Sequence, residues 1–263
     1  MPGAPSPAPL PPPGDSGSAT VEEFQRLLEG LLVPFASGKG VALPTGSVAR
    51  LAEYSAFLLE RNQVVNLTGC RSPRELVARH LADAVQFAAR LPGRPLGTLV
   101  DLGSGGGLPG LPLALLLPGA RVLLVESVRK KARFLLEAKE RLALANVEVL
   151  CARAEELGRD RAHRDRHGAV TSRACASLAV SLEYGLPLLK VGGLFLSPKG
   201  PSAPEELSAA ARAIQALAGR LVDATTYRLP EAPSDFTMIA IEKTGPTPAA
   251  YPRPAAQIAR KSL

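Results

Sequence analysis

Two carboxylates and a set of alternating glycines stand where two predicted strands end. In LVDLGSGGGLPGLP, Asp101 precedes glycines at 103, 105 and 107, and Glu126 ends the next apolar stretch, RVLLVES. A glycine loop before a helix usually receives a phosphate, which Asp101 would repel. S-adenosylmethionine instead carries an ammonium and a sulfonium group, and its ribose hydroxyls can donate to a carboxylate such as Glu126. The pattern therefore favours the cofactor loop of a class I methyltransferase.

Two phosphate-binding loops are the alternatives. A dinucleotide-binding dehydrogenase shares the alternating glycines, but its pyrophosphate would meet the carboxylate of Asp101. A P-loop requires Gly-Lys-Ser/Thr after the glycines, and no such sequence follows them here. The dehydrogenase stays open as the alternative.

Further candidate residues follow the third and fourth predicted strands. Ala154 and Glu155, in CARAEEL, stand where this class of enzyme usually contacts adenine, although Glu155 could equally be an acid favoured at a helix start. Arg173, in VTSRACAS, is a basic residue at the expected mouth of the site, and its alternative is a structural ion pair. Neither the Asn/Asp-Pro-Pro-aromatic motif of amine methylation nor a Pro-Cys nucleophile is present, so Cys175 is interpreted as a packing residue.

A predicted α/β fold positions these residues, with the doubly wound sheet of class I S-adenosylmethionine-dependent (Rossmann-like) methyltransferases. Apolar strands alternate with helices around 109–117, 128–145, 177–189 and 203–220; the strands are TLVDLG, RVLLVES, VEVLCA, AVTSRA and GLFLSPKG. This alternation is typical of a largely parallel sheet, which binds ligands beyond the carboxyl ends of its strands. VDATTYRLP and DFTMIAIEKT are predicted to form a C-terminal antiparallel strand pair.

Four regions are predicted along the chain. Residues 1–19 contain seven prolines and are expected to be a disordered tail. Residues 20–95 are expected to form a helical region packed on the core, residues 96–245 the methyltransferase domain, and residues 246–263 a basic C-terminal tail.

Two helices are predicted within residues 20–95. Ser72, Pro73 and Glu75 form the start of the second helix, as N-cap, first residue and partner in a capping box. The first helix, in VARLAEYSAFLLERNQVV, has apolar residues near one face: Leu51, Tyr54, Leu58 and Val65.

Composition narrows the classes of function. The chain has 263 residues, of which 46% are hydrophobic, so it can build a core, and its net charge of +7 hints at a polyanionic partner. Cys70, Cys151 and Cys175 form no CxxC pair, which disfavours a disulfide framework or a zinc site. No apolar stretch is long enough to span a membrane and no signal peptide is evident, so a cytoplasmic protein without metal is expected.

Two segments with histidines have no assigned role. His80, in RHLADAV, is equally compatible with packing and with function. The run RDRAHRDRH at 159–167 has alternating charges and no cysteine, so it is predicted to be a solvated loop and not a metal site.

Several segments together resemble the bacterial small-subunit ribosomal RNA guanine-N7 methyltransferases of the RsmG or GidB type. The resemblance covers roughly residues 50–254; its motifs are NLTG, RHLADAV, DLGSGGGLPGLPLALLLP, VESVRKKARFL, ARAEEL, SRACASL, LSPKG and YPR. The combination of GLPG, SRA and KG is specific to this family. After YPR the family tends to continue with a glycine and more prolines, where this chain has PAAQIARKSL.

The resemblance implies methyl transfer from S-adenosylmethionine to N7 of a guanine in 16S ribosomal RNA, either free or in the 30S subunit or an assembly intermediate. It implies that no residue acts as a general base and that Arg173 orients the reactants. The implied cofactor contacts are Gly103, Leu108, Glu126, Ser127, Val128, Ala154, Glu155 and Arg173. The implied RNA contacts are Arg153, Lys199, Tyr251 and Arg253.

Methylation of guanine N7 is consistent with the absence of an evident general base in the sequence. N7 has an in-plane lone pair and no proton to lose, so the enzyme needs to align the reacting atoms. Guanidinium groups such as those of Arg173 and Arg153 suit guanine O6 or a phosphate. A methyltransferase for a small molecule or protein, and a non-catalytic RNA-binding module, stay open because a fold does not fix a function.

Overall fold

A computed structural model describes residues 19–91, 96–173 and 176–263. The predicted tail at 1–19 lies almost wholly outside these residues, and Cys175 lies outside them as well. Within the described ranges, no helix combines the length and the apolar character needed to cross a membrane.

The predicted α/β fold is confirmed by a seven-stranded sheet with the order β3-β2-β1-β4-β5-β7-β6. The first five strands pair in parallel, and β7 pairs antiparallel with both β5 and β6. The strands are β1 (Thr98–Leu102), β2 (Arg121–Val125), β3 (Val147–Leu150), β4 (His167–Ser172), β5 (Leu189–Lys199), β6 (Gly219–Tyr227) and β7 (Phe236–Lys243). Strand order reverses beside β1, so β1 and β4 flank the place where such sheets bind ligands.

Helices connect the parallel strands and follow the sheet. They are α6 (Gly110–Leu116), α7 (Arg129–Arg141), α8 (Ala154–Leu157), α9 (Leu178–Gly185), α10 (Ala203–Ala209), α11 (Ala211–Ala216) and α12 (Ala255–Arg260). The predicted helix 203–220 is two short helices. The predicted helix 177–189 ends at Gly185 because Pro187, in a 3₁₀ turn at Leu186–Leu188, cannot continue the α-helical hydrogen bonds.

The N-terminal region is helical. Its α-helices are α1 (Val21–Leu27), α2 (Val33–Gly38), α3 (Ser47–Asn62), α4 (Pro73–Glu75) and α5 (Ala82–Ala88), and π-helical segments at Leu28–Leu32 and Leu76–Leu81 connect α1 to α2 and α4 to α5. Ser72 caps α4 by accepting a hydrogen bond of 3.2 Å from the backbone N–H of Glu75. The Glu75 carboxylate accepts from the N–H of Arg71, one residue before the predicted capping-box donor.

The core lies on both faces of the sheet. Alternate strand residues, such as Leu99 and Val100 in β1, belong to two different apolar clusters. The first cluster joins the sheet to the N-terminal helices, α6 and α7, and it contains Leu51, Tyr54 and Leu58 of α3. The second cluster joins the sheet to α9 and α11. The N-terminal region therefore packs directly on the face of the sheet that leads to the glycine loop.

Candidate active site

The glycine loop turns sharply at the carboxyl end of β1. The N–H groups of Gly103 and Ser104 both donate to the carbonyl of Val125, at 2.9 and 3.1 Å, which ties the loop to the end of β2. Gly103, Gly105 and Gly107 have φ angles of +69°, +54° and +86°, a region that other residues rarely adopt. The loop thus requires glycine at the three alternating positions noted in the sequence.

The N-terminal region forms one wall of the loop. The Tyr54 hydroxyl of α3 donates to the carbonyl of Gly106 at 2.6 Å. A Cβ atom at Gly106 would lie 2.8 Å from Leu58 Cδ1 and 3.2 Å from the carbonyl oxygen of Leu67. The helical region therefore sets the position of the loop, in addition to packing on the core.

Asp101 is buried and holds the loop from within the fold. Its carboxylate accepts hydrogen bonds from the N–H of Gly110 at 3.1 Å and from the Thr171 hydroxyl at 3.0 Å. Burial raises the pKa of Asp101 to about 6, against the opposing effect of these hydrogen bonds. The sequence interpretation placed this carboxylate against a cation of the ligand; in the structure it instead joins β1 to α6 and β4.

Glu126 connects the loops that follow β1 and β2. One carboxylate oxygen accepts from the N–H of Gly105 at 2.9 Å, and the other accepts from the N–H of Val128 at 2.7 Å. The side chain is buried, and each oxygen keeps a second acceptor position. A fixed carboxylate with free lone pairs at this point can accept two neighbouring hydroxyl groups.

A cavity of about 610 Å³ opens beside the glycine loop, between the N-terminal region and the end of β5. Among the predicted site residues, those that line it are Gly103, Leu108, Arg173 and Lys199. The other predicted cofactor residues lie farther along the same edge of the sheet, after β2 and β3: Glu126, Ser127, Val128, Ala154 and Glu155. The cavity also contains groups not predicted from the sequence as site residues, including Asp83, Arg79 and Phe236.

Arg173 contacts two side chains of the N-terminal region, the buried carboxylate of Asp83 and the partly buried imidazole of His80. Its Nη1 lies 3.8 Å from Asp83 Oδ2 and also contacts Nδ1 of His80. The Asp83 carboxylate in turn accepts a hydrogen bond of 2.6 Å from the Tyr227 hydroxyl of β6. The side chains of Arg173 and Asp83 are 17% and 6% exposed, so this is a mostly buried network. It joins three separate parts of the chain at the cavity.

Burial determines the charge states in this network. It raises the pKa of Asp83, although the positive charge of Arg173 lowers it. Burial, together with the positive charges of Arg173 and Arg79, lowers the pKa of His80 to about 3, so the imidazole is neutral at neutral pH and can accept from Arg173. Arg173 is thereby held at the cavity by one carboxylate and one neutral ring.

Lys199 lies on the other side of the cavity, at the end of β5. Its Nζ is 2.8 Å from Glu206 Oε2 and donates to the carbonyl of Ala176 at 3.1 Å. Glu206 also accepts from the N–H of Leu178, the first residue of α9. The two carboxylates that line the cavity, Asp83 and Glu206, are therefore both paired with basic side chains.

The remaining predicted RNA-binding residues lie outside this cavity. Arg153 is exposed and immediately precedes α8. Tyr251 packs against the second apolar cluster. Arg253 forms a two-point contact with the fully buried carboxylate of Glu183 in α9, at 2.8 and 2.7 Å. The RNA contact expected of Arg253 stays a prediction, and the structure gives this residue an anchoring contact as well.

The chain matches one protein family over most of its length. The family model described as GidB, rRNA small subunit methyltransferase G, matches residues 47–230. The chain belongs to this family. The match covers the N-terminal wall, the glycine loop, Arg173, Lys199 and most of the sheet, so the resemblance inferred from the motifs is confirmed.

Individual relatives of the family agree along most of their length. The ribosomal RNA small subunit methyltransferase G of Pelotomaculum thermopropionicum is 42% identical over 81% of this chain and 90% of its own. The protein of the same name from Roseiflexus castenholzii is 44% identical over 84% of this chain and 94% of its own. Among solved structures, M. jannaschii TYW2 in complex with AdoMet is 18% identical, with a TM-score of 0.46 over 62% of this chain and 74% of that chain. Family membership depends on the family model and the sequence relatives, not on this distant likeness.

Proposed function

We propose that this protein transfers the methyl group of S-adenosylmethionine to N7 of a guanine in small-subunit ribosomal RNA. The observation that carries the proposal is the cavity shared by the glycine loop, Arg173 and Lys199 in a chain of the rRNA small subunit methyltransferase G family. The relatives' name supports RNA as the substrate, and the chemistry of the cavity supports N7 as the acceptor.

The residues at the end of β1 and β2 fit an adenosyl cofactor. The bare backbone of Gly103, Gly105 and Gly106 lines the cavity, which leaves room for close approach of a methionine moiety. Glu126 is fixed by two backbone N–H groups and keeps an acceptor position on each oxygen for the ribose hydroxyls. The cavity of about 610 Å³ has the size of a small-molecule site. When bound, S-adenosylmethionine supplies an electrophilic methyl carbon on a sulfonium leaving group.

The chemistry at N7 requires alignment but no proton transfer. The N7 lone pair forms the new N–C bond while the C–S bond breaks, and no proton leaves the base. This agrees with a cavity whose carboxylates, Asp83 and Glu206, are both paired with cations. Arg173 is placed to donate to guanine O6 and so orient N7, since a guanidinium presents several donors in a fixed plane. Lys199 is placed to contact a flanking phosphate.

The RNA itself is bound through the positive charge of the chain. A net charge of +7 gives an affinity for RNA that falls with rising salt, since each neutralised phosphate releases counterions. Arg153, Tyr251 and Arg253 are the proposed contacts outside the cavity. We propose that the substrate is 16S ribosomal RNA, free or in the 30S subunit or an assembly intermediate.

A transfer assay with labelled methyl groups tests the proposal. S-adenosylmethionine with a tritiated methyl group is incubated with the protein and with 30S subunits, free 16S ribosomal RNA, or a cell extract without RNA. Label in either RNA sample is the expected result, with calorimetric binding of S-adenosylmethionine and none of NAD. Label in the RNA-free extract alone would identify a small-molecule or protein methyltransferase. RNA binding without any transfer would identify a non-catalytic module.

A further inference from the structure

A second group of basic and histidine side chains lies at the opposite edge of the sheet from the glycine loop. A cavity of about 850 Å³ there is lined by residues at the start of the strands, including Thr98 of β1, Arg121 of β2 and Val147 of β3. His167 begins β4 and also lines it. Because β4 ends beside Arg173, a strand length of about 17 Å, at about 3.3 Å per residue, separates this cavity from the active site.

His167 is buried in this cavity, and its ring has no hydrogen-bond partner among the described residues. The residue is 6% exposed, and neither ring nitrogen is paired with any group in the part of the chain that the structure describes. Its ring stacks on that of His163 with centroids 5.6 Å apart, and Nδ1 of His163 is equally buried and unpaired. Buried polar groups are normally hydrogen-bonded, so these rings are suited to a partner that enters from the cavity.

The charge state of His167 makes it a hydrogen-bonding group at neutral pH. Burial, with a smaller contribution from the neighbouring His163, lowers the pKa of His167 to about 4. The neutral ring offers one N–H donor and one acceptor. A bound anion would favour the charged form and would therefore raise this pKa.

The cavity is positively charged. Arg121, Lys139 and Arg166 line it together with a single acid, Glu148. Among the described residues, none of these three basic side chains has an ion pair or a hydrogen bond. They remain available to an anion.

Two other arginines of the same loop have internal contacts. Arg159 donates to the carbonyl of Pro252 at 2.8 Å, and Arg164 donates to the carbonyl of Tyr251 at 2.8 Å. Within the run RDRAHRDRH, predicted as a solvated loop, these two arginines hold the C-terminal segment, whereas Arg166 lines the cavity with the histidines.

We propose that this cavity is a phosphate-binding site, filled in the substrate complex by a phosphodiester of the RNA backbone. Guanidinium and ammonium groups are the usual partners of phosphate oxygens, and a buried imidazole adds a directed N–H donor. The assignment of the bound phosphate to RNA depends on the proposed function, whereas the phosphate site itself does not depend on it. A contact at this edge would fix the orientation of the RNA without touching the reacting base.

The phosphate site is tested first on the unmodified protein. The pKa of His167 is measured from ring resonances during pH titrations in sodium phosphate and in sodium chloride at equal ionic strength. The expected result is a higher pKa in phosphate, since the anion stabilises the imidazolium. Equal pKa values in the two salts would overturn the proposal and would indicate a cavity that holds only water.

Whether the bound phosphate belongs to RNA is tested with an Arg121→Ala/Arg166→Ala variant, and Arg220→Ala is the matched control. Arg220 is an exposed arginine on β6, paired with Glu242 and remote from this cavity. The double variant is expected to reduce the slope of log affinity for 16S ribosomal RNA against log salt by about 2, one per lost contact, and the control by less than 1. KM for RNA should rise, while kcat and the affinity for S-adenosylmethionine stay unchanged.

The outcomes distinguish the phosphate site from the assignment of its phosphate to RNA. A phosphate response of His167 with an unchanged RNA salt slope would overturn the RNA assignment and leave a site for free phosphate. If the double variant does not fold, Lys139→Gln replaces it, with an expected slope reduction of about 1 and no reduction as the contradicting result. If the wild-type protein transfers no methyl group, the proposed function fails, but the His167 titration still decides the phosphate site.

Discussion

Replacing Asp83 with asparagine tests whether the buried carboxylate holds Arg173 in place for methyl transfer. Asparagine keeps the shape of the side chain and can still accept from Tyr227, whose hydroxyl lies 2.6 Å from Asp83 Oδ1. The charge pair at 3.8 Å is lost. Its direct attraction is about 4 kcal/mol at an effective dielectric constant near 20, and its loss leaves the mostly buried Arg173 guanidinium without a countercharge, although the desolvation of the Asp83 carboxylate is relieved.

Both stability and catalysis by the folded protein should therefore fall. We expect the free energy of unfolding to decrease by up to about 3 kcal/mol, because the contact of Arg173 with His80 offsets only part of the loss of its countercharge. The kcat should fall by about 10- to 100-fold, which corresponds to about 1.4–2.7 kcal/mol of lost alignment in the transition state. The affinity for S-adenosylmethionine, measured by calorimetry, should fall less than kcat does.

A double-mutant cycle identifies the cause of the loss. If Asp83 acts through Arg173, then Asp83→Asn should add almost nothing to the loss already caused by Arg173→Ala. Asp223→Asn is the control, because Asp223 makes a similar but more exposed pair with Arg90. Wild-type kcat in the Asp83→Asn variant, or fully additive losses in the cycle, would refute the positioning role.

Three further outcomes are expected. Arg253→Ala should lower the free energy of unfolding by about 3–5 kcal/mol, because it leaves the buried Glu183 carboxylate without a countercharge; an unchanged melting temperature with a smaller RNA salt slope would instead assign Arg253 to RNA. Gly106→Ala should weaken S-adenosylmethionine binding, since the new Cβ would displace Leu58; calorimetry with wild-type affinity would contradict this. Because the pKa of Asp101 is raised to about 6, the protonated carboxyl is favoured in the folded state, so wild-type stability relative to Asp101→Asn should fall by up to about 3 kcal/mol from pH 4 to pH 6.5; urea unfolding that shows a pH-independent difference would refute this pKa.

The parts predicted from the sequence are those encoded by local patterns. Apolar strands separated by helices gave the order of elements, and the alternating glycines marked the loop that needs left-handed backbone. Of the four apolar residues predicted on one face of the first helix, Leu51, Tyr54 and Leu58 are buried in α3, whereas Val65 is buried but lies beyond the end of α3 at Asn62. These signals are contained in a few neighbouring residues, so a single sequence is sufficient to find them.

The parts that the sequence did not reveal depend on contacts between distant residues. Arg173 has no carboxylate close to it in the sequence, and its partner Asp83 lies 90 positions earlier, on α5. The resemblance implies an RNA contact for Arg253, but the sequence does not indicate that α9 brings Glu183 into contact with it. The π-helical segment at Leu76–Leu81, which carries His80, also departs from the period used to recognise helices.

The identity of the methylated atom tests the central claim most directly. Small-subunit RNA that lacks the modification is incubated with the protein and S-adenosylmethionine and is then cleaved by a reaction specific for 7-methylguanosine. Methylation of N7 predicts one new cleavage site at a guanosine, present only with both protein and cofactor and strongly reduced with Arg173→Ala. Incorporation of labelled methyl groups into the RNA without any new cleavage would contradict methylation of guanine N7.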